Sequence, residues 1–278
     1  MITRLDTHGT VNTIQTYNFE DSMKVMRDEK CMELGISSLY TFENNRDSYR
    51  VARDACVDIM IHYDENKSDL GIDLVGPHDN LADLKLCSGY RYFGIRFLPG
   101  YSPAAVRENI IDIHGEIVTI DSGEIYDALM DAVCGQETFE GQCREVIRCM
   151  GSYGGRDEEQ IENSQWELAR WLMDVIISDR KKHSLTELEQ ASGYSARYLN
   201  KVFQKYTGYT ISKFANIMRA QRVGGYLYMC KKRGQTPDYS DIACGLDYTD
   251  QAHMIHDFEK HFGMAPMMFY KTYAVARQ

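Results

Sequence analysis

Residues 239–266 read YSDIACGLDYTDQAHMIHDFEKHFGMAP, and this stretch decides the fold of the C-terminal part of the chain. A short apolar segment, residues 239–244, leads into a tight corner at residues 245–248. Asp250 then stands where its side chain can cap the amides of a second helix. The apolar residues of that helix recur at helical spacing and should face inward: Met254, Phe258 and Phe262. The pattern predicts a helix-turn-helix.

A second copy of this pattern lies upstream, in residues 186–208, TELEQASGYSARYLNKVFQKYTG. Leu199 corresponds to Met254 and Phe203 to Phe258, at one constant offset with a one-residue slip before the second helix. A duplicated unit is much harder to obtain by chance than a single one. We therefore predict an all-α domain of two helix-turn-helix units joined by a long helix over about residues 212–229.

Residues 161–273 resemble the DNA-binding domain of AraC/XylS-type transcriptional regulators. The matching residues are Gly193, Ser195, Leu199, Phe203, Gly208, Arg219, Ala243, Tyr248, Asp250, Gln251, His253, Phe258, Gly263 and Pro266. Three residues depart from the family pattern: Glu189 replaces Ala, Asp247 replaces Gly at the corner, and Ile211 replaces Pro. Asp tolerates a left-handed backbone, so the corner can survive. Glu189 either opens the first unit slightly or lies along the surface with its carboxylate in water.

The resemblance implies a regulator that places its two recognition helices in successive major grooves of double-stranded DNA. In the first unit six residues are expected to contact DNA: Ser195, Arg197, Asn200, Lys201, Gln204 and Lys205. Arg can form two hydrogen bonds with guanine, and Asn or Gln can do the same with adenine. Lys201 and Lys205 are expected to contact phosphate. In the second unit the expected contacts are Gln251, Ala252, Ile255 and His256. Asp257 and Glu259 are expected to repel phosphate there, so the first unit should carry most of the affinity.

The distribution of charge agrees with this division. The chain has 278 residues and a net charge of −10. Residues 166–278 carry 16 Lys and Arg against 11 Asp and Glu, a net of +5, so the remainder carries −15. A basic DNA reader joined to an acidic sensor would show this asymmetry. An acidic surface kept for solubility would explain the N-terminal charge equally well.

The N-terminal part is predicted to be β-rich. Short apolar or alternating runs, divided by turn residues, lie at residues 38–42, 56–63, 72–75 and 90–97. Residues 54–60, DACVDIM, and 94–100, GIRFLPG, are similar to P-D-G-C-x-D-L and G-x-R-F-x-P-G, two signatures of a subset of the same family, although Arg53 and Ala55 depart from the first. This resemblance implies a cupin-like sensor domain followed by helices. The predicted fold is thus α+β and multidomain.

We expect a small-molecule effector to bind in the β-rich domain. The candidate pocket residues are Asp58, His62, Tyr92 and Arg96. Residues 1–150 would form this domain, residues 151–156 a flexible glycine-rich linker, and residues 157–278 the DNA-binding domain. Two helices are expected next, one over residues 121–133 capped by Asp121 or Ser122, and one from Thr138 to Met150. They either form a homodimer interface, as their equivalents do in the family, or cover the open side of the β domain. RNA polymerase is a further expected partner.

The remaining features argue against other classes of protein. No run of about eighteen apolar residues exists and the start of the chain has no apolar signal core, so we expect a cytoplasmic protein without a membrane span. The eight cysteines include no C-x-x-C pair, and we expect neither a metal nor a cofactor.

Two alternatives stay open. A metal-dependent cupin-like enzyme could use His62, His78 and His114, although these residues form no compact ligand pair. An interaction module could keep the fold without binding DNA, which the acidic second recognition helix and Glu189 would explain.

Overall fold

The computed structural model describes residues 13, 22–46, 48–78, 82–103, 110–158, 164–178 and 183–272. Its strands are β1 (Lys24–Met26), β2 (Ile36–Glu43), β3 (Ser48–Val51), β4 (Asp58–Tyr63), β5 (Leu70–Val75), β6 (Ala82–Lys85), β7 (Arg91–Phe97) and β8 (Ile117–Ile120). Six of them form an antiparallel sheet in the order β1-β2-β7-β4-β5-β8, and β3 pairs with β6. The β-rich N-terminal part of the predicted fold is confirmed.

The small β3-β6 pair packs on one face of the six-stranded sheet. Between them lies a core of aromatic and aliphatic side chains: Tyr40, Phe42, Tyr49, Val51, Met60, Val75, Leu84 and Tyr92. The rings of Phe42 and Tyr92 stack at 5.4 Å between their centroids. Gly94 leaves room for the ring of Tyr40, since a Cβ at position 94 would lie 2.0 Å from Tyr40 Cζ. Large aromatic side chains therefore fill much of the space between the two sheets.

Helices α1 (Glu29–Glu33), α2 (Glu124–Cys134) and α3 (Phe139–Glu158) accompany the β domain. Buried residues of α2 and α3 share one hydrophobic core with the sheet residues Ile61, Phe93 and Ile95, so these helices cover its other face. Helix α2 begins after Gly123 with no side-chain cap, so the prediction that Asp121 or Ser122 caps it was wrong. Thr138 does open α3, where its Oγ1 accepts a hydrogen bond from Gly141 N.

The glycine-rich segment expected to be a flexible linker is helical. Helix α3 continues through residues 151–156 and ends at Glu158. Tyr153 packs against the core of the β domain, and Ser152 Oγ donates a hydrogen bond to Arg148 O at 3.0 Å, one helical turn back. These tertiary and local contacts outweigh the low helix propensity of glycine, about 1 kcal/mol per residue relative to alanine.

In the described residues of the C-terminal part, helices are the only regular secondary structure, and short turns join them. Its helices are α4 (Ser164–Ser178), α5 (Leu185–Ser192), α6 (Ala196–Thr207), α7 (Ile211–Lys232), α8 (Tyr239–Gly245), α9 (Gln251–Phe262) and α10 (Pro266–Thr272). Both predicted helix-turn-helix units are confirmed, as α5-α6 and α8-α9. The joining helix α7 is longer than predicted and runs unbroken through Gly224, where an added Cβ would lie 2.8 Å from Phe262 Cζ. Glycine at this position lets α7 approach α9 closely.

Each unit has its own hydrophobic core. The first core joins α4, α5, α6 and the start of α7, around Leu199, Phe203 and Phe214. The second joins the end of α7 with α8, α9 and α10, around Met254, Phe258 and Phe269. Within the described ranges, no helix is long and apolar enough to cross a membrane.

Candidate nucleic-acid interface

The first recognition helix, α6, has sharply divided faces. Leu199 and Phe203 are fully buried, as their spacing predicts. On the opposite side Arg197, Lys201 and Gln204 are exposed, one helical turn apart from each other. The structure thus brings a guanidinium, an ammonium and an amide into one row, and these are the groups that read base edges and bind phosphate.

Three further residues predicted to contact DNA are occupied within the protein. Ser195 caps α6, because its Oγ accepts a hydrogen bond from Tyr198 N at 3.4 Å. Asn200 donates from Nδ2 to Ala196 O at 3.0 Å and accepts at Oδ1 from Ile211 N at 3.1 Å, which ties α6 to the start of α7. Lys205 is half-buried, with Nζ 4.8 Å from the centroid of the Tyr206 ring. Of these three, Asn200 has the clearest structural use of its side chain.

Glu189 caps the first recognition helix. Its Oε1 accepts a hydrogen bond from Ala196 N at 2.6 Å, and the carboxylate lies at the positive end of the α6 dipole. The unit is therefore not opened by this residue, nor does its carboxylate simply lie in water. The glutamate that departs from the family pattern instead fastens α5 to α6.

The second recognition helix, α9, presents a less basic surface. Gln251, Ala252 and His256 are exposed and Ile255 is half-buried, all on one side of the helix. Gln251 Oε1 accepts a hydrogen bond from Ser240 Oγ at 3.4 Å, so its side chain also joins α9 to α8. Asp250 caps α9 as predicted, with Oδ1 2.7 Å from His253 N. Asp247 adopts φ +54° at the corner, the left-handed backbone expected there.

Asp257 does not face the expected DNA surface, and the prediction that it repels phosphate was wrong. It is partly buried and accepts a hydrogen bond from Tyr248 Oη at 2.9 Å. Its carboxylate also lies 3.6 Å from both Arg219 Nη2 and His261 Nε2. Burial by itself would raise the pKa of Asp257, but the bonds from His261 and Tyr248 and the nearby charges lower the pKa overall. The carboxylate thus belongs to the packing of the second unit, whereas Glu259 stays exposed.

Comparison with protein families agrees with this geometry. Residues 188–272 match the model of a helix-turn-helix domain, from within α5 through α6, the joining helix and the whole second unit. The C-terminal helix-turn-helix pair is of the AraC type. Residues 33–119 match a domain of unknown function (DUF6597), which covers most of the described β domain.

Solved structures also resemble this chain at low identity. ToxT from Vibrio cholerae O395 is 12% identical with a TM-score of 0.44, over 91% of this chain and 99% of that chain. Unsaturated fatty acid-bound ToxT from strain SCE256 is 10% identical with a TM-score of 0.43, over 93% and 99%. At these values the structures say nothing about what this chain binds. No curated protein matches the chain.

The four residues predicted for an effector pocket share one face of the six-stranded sheet. The register pairs Asp58 with Arg96 and His62 with Tyr92. Arg96 binds Asp58 through two hydrogen bonds, Nε to Oδ1 at 3.0 Å and Nη2 to Oδ2 at 2.7 Å, and both residues are buried. His62 instead lies with Nδ1 3.5 Å from Asp73 Oδ2, and Tyr92 Oη accepts a hydrogen bond from Cys87 N. The predicted site therefore consists of two separate pairs: Asp58 with Arg96, and His62 with Tyr92, whose ring centroids lie 5.8 Å apart.

A small cavity of about 10 Å³ adjoins the Asp58–Arg96 pair, and its other polar lining residues were not predicted. They are Asp54, Cys56 and His78. Burial lowers the pKa of His78 and raises that of the Cys56 thiol. Asp54 lies 3.0 Å from Arg96 Nη2, and the spacing of the two aspartates in DACVD was the signal that could have revealed it. The cavity has room for about one water molecule.

The three histidines considered for a metal site each make a different contact within the protein. His62 contacts Asp73, whereas the ring of His114 packs edge-on against Tyr209 at 4.7 Å. His78 O accepts a hydrogen bond from Tyr209 Oη at 3.0 Å. Among the described residues, no group of three His, Cys, Asp or Glu side chains could hold a metal ion.

Proposed function

We propose that this protein regulates transcription by binding specific DNA sequences under the control of a small-molecule effector. The observation that carries this proposal is the row of exposed Arg197, Lys201 and Gln204 on α6, held beside a second recognition helix by α7. No hydrogen bond or ion pair within the described protein involves these three side chains. A helix lying in the major groove would use such side chains to contact base edges and phosphates.

The two units would contribute unequally. Arg197 and Gln204 would read base edges, while Lys201 and the half-buried Lys205 would meet phosphate. Gln251 and Ile255 would add base contacts from α9, and His256 would lie at the same surface. Because Arg219 and His261 lie beside the Asp257 carboxylate inside the protein, Glu259 is the acidic residue of this helix that opposes phosphate. The second unit should therefore bind DNA better than its charge suggests.

The effector would act on the β domain. Among the described residues, the aromatic core and the buried Asp58–Arg96 pair leave a cavity of about 10 Å³ between them, so a ligand entering there would have to displace side chains. We further propose that the protein acts in the cytoplasm and contacts RNA polymerase, and that it has no enzymatic activity. A homodimer would use surfaces of α2 and α3 that face away from the sheet.

Genome-wide DNA occupancy of the wild-type protein and of the Arg197→Ala, Lys201→Ala double variant tests the proposal. We expect discrete sites for the wild type and their loss in the variant. The matched control is Arg27→Ala, Lys30→Ala, which removes two exposed positive charges from the β domain, outside α2 and α3. With purified proteins and one of the occupied sites, the wild type and the control should bind with similar affinity. The double variant should bind about 10- to 100-fold more weakly.

Equal occupancy of wild type and double variant would contradict the proposed role of α6. The regulator would then have kept the fold as an interaction module, and proteins captured by the wild type should also be captured by the double variant. Equal losses in the α6 variant and in the Arg27, Lys30 control would point to general charge attraction in place of sequence reading.

A further inference from the structure

Residues 52–55 form a strap that is fixed firmly to the β domain. Asp54 lies 3.0 Å from Arg96 Nη2, and its Oδ1 accepts a hydrogen bond from Cys56 N at 3.0 Å. Ala55 O accepts a hydrogen bond from Gly100 N at 2.7 Å. Ala55 itself adopts φ +56°, a left-handed backbone that an alanine seldom takes and that surrounding contacts must hold. One side of the strap is therefore anchored in the β domain.

The other side of the same strap is bonded to the DNA-binding domain. Arg53 N donates a hydrogen bond to His261 O at 3.1 Å, near the end of the second recognition helix. Arg53 O accepts one from Gln221 Nε2 at 2.8 Å, in the middle of the joining helix. Gln221 is fully buried, so this pair is shielded from water. Both polar atoms of the Arg53 backbone are thus used between the domains.

The alanines of the strap extend the contact to both helix-turn-helix units. Ala52 is buried in the core of the second unit with Ala220 and Val223. Ala55 is buried in the core of the first unit, among side chains of α4, α6 and α7. Four consecutive residues therefore reach both units and the helix that joins them. Such a contact can fix the angle between the two recognition helices.

The residue at position 53 makes one of these bonds possible. The related signature begins with proline where this chain has Arg53. Proline has no N–H, so a chain with the usual residue could not donate to the carbonyl of residue 261. The departure from the pattern coincides with the point at which the β domain holds the second recognition helix.

We propose that residues 52–55 are an interdomain latch, closed by the Arg53 main-chain N–H, that holds the two helix-turn-helix units in one orientation relative to the β domain. Its regulatory meaning rests on the proposed function, since an effector that moves the Asp54–Arg96 pair would move the latch. The latch itself is a property of the protein without DNA, and it can be measured without DNA.

Two exposed cysteines allow that measurement in the full chain. Cys87 lies in the β domain and Cys244 lies in α8, and spin labels on both report the distance between the domains by pulsed electron paramagnetic resonance. Cys134 is partly exposed and would be changed to serine in every sample. The test compares Arg53→Pro, which lacks the N–H, with Arg53→Ala, which keeps it and loses only the side chain.

We expect one narrow distance distribution for the wild type and for Arg53→Ala, and a broader distribution with longer distances for Arg53→Pro. An unchanged distribution in Arg53→Pro, or an equal broadening in Arg53→Ala, would overturn the latch. If circular dichroism shows that Arg53→Pro is unfolded, Gln221→Leu decides by removing the donor to Arg53 O. Broadening in Gln221→Leu supports the latch, and an unchanged distribution rejects it.

The same samples separate this inference from the proposed function. Failure of the wild type to bind any DNA would reject the function and leave the distance distributions as they are. A narrow distribution in Arg53→Pro together with normal DNA binding would reject only the latch.

Discussion

The guanidinium of Arg219 lies 4.1 Å from the centre of the Tyr248 ring, so the joining helix is fastened to the corner of the second helix-turn-helix unit. The same side chain donates to Asp247 O at 3.4 Å and approaches Asp257. A cation over an aromatic face, together with a half-buried carboxylate, can hold a corner whose backbone is left-handed. The orientation of α9 thus depends on a residue of α7.

Replacing Asp257 with asparagine should destabilise the protein by about 2 kcal/mol at pH 7, less than the ~3–5 kcal/mol of a fully buried pair. Because the pKa of this carboxyl is lower in the folded protein, its contribution is complete above the unfolded pKa of about 3.9 and is lost as pH falls through the folded pKa. The difference between wild type and variant should therefore shrink below about pH 4. Urea unfolding at several pH values measures it, and a difference independent of pH would contradict it.

Replacing Glu189 with alanine should destabilise the protein by about 1 kcal/mol, since α6 loses its carboxylate cap. Glu189→Gln keeps an acceptor for Ala196 N and should lose less. Thermal unfolding of both variants would be compared with Glu259→Ala, which removes the same charge from an exposed position on α9. Equal stability of Glu189→Ala and Glu259→Ala would show that the charge, and not the cap, matters.

Changing Gly151 to alanine should stabilise the protein by about 0.5–1 kcal/mol. Residue 151 is exposed within α3, and nothing lies within 4 Å of an added Cβ. Gly234→Ala is the opposite control, because Gly234 has φ +63° and alanine would be strained there. Helical content and denaturation midpoint are the measurements. A loss of stability in Gly151→Ala would contradict the helix at this position and favour the interpretation of residues 151–156 as a flexible linker.

Asn200 and Arg197 should respond differently to substitution by alanine. Asn200→Ala removes two internal hydrogen bonds and should lower the free energy of unfolding by about 1–2 kcal/mol. Its affinity for DNA should fall by the same factor for every DNA sequence. Arg197→Ala should leave stability unchanged and alter sequence preference. Unfolding curves and binding to a library of DNA sites separate the two. A changed preference in Asn200→Ala with full stability would make Asn200 a base contact.

Local pattern was sufficient for the C-terminal domain. Helical spacing indicated both units, and the cap Asp250 marked the start of the second recognition helix, since α9 begins directly after it. The runs that predicted strands in the β domain lie at β2, β4, β5 and β7. These features are encoded within a few residues of one another, which is why periodicity reveals them.

Contacts between distant residues escaped the same reasoning. Glu189 and Asp257 were read as charges on a surface, but one caps α6 and the other is held by Arg219, Tyr248 and His261. The glycine-rich segment was read from its composition, although packing of Tyr153 keeps it helical. In each case the partner of a side chain, and not its type, decides what it does.

The sequence by itself determined the two helix-turn-helix units, the β-rich first domain and the basic face of α6, because each follows from the spacing of apolar and polar residues. Only the tertiary structure decided which polar residues remain available for DNA, and that Arg53 bonds the β domain to both α7 and α9. The physical reason is that a hydrogen bond or an ion pair acts over about 3 Å, and only the folded chain brings residues 53, 221 and 261 within that range.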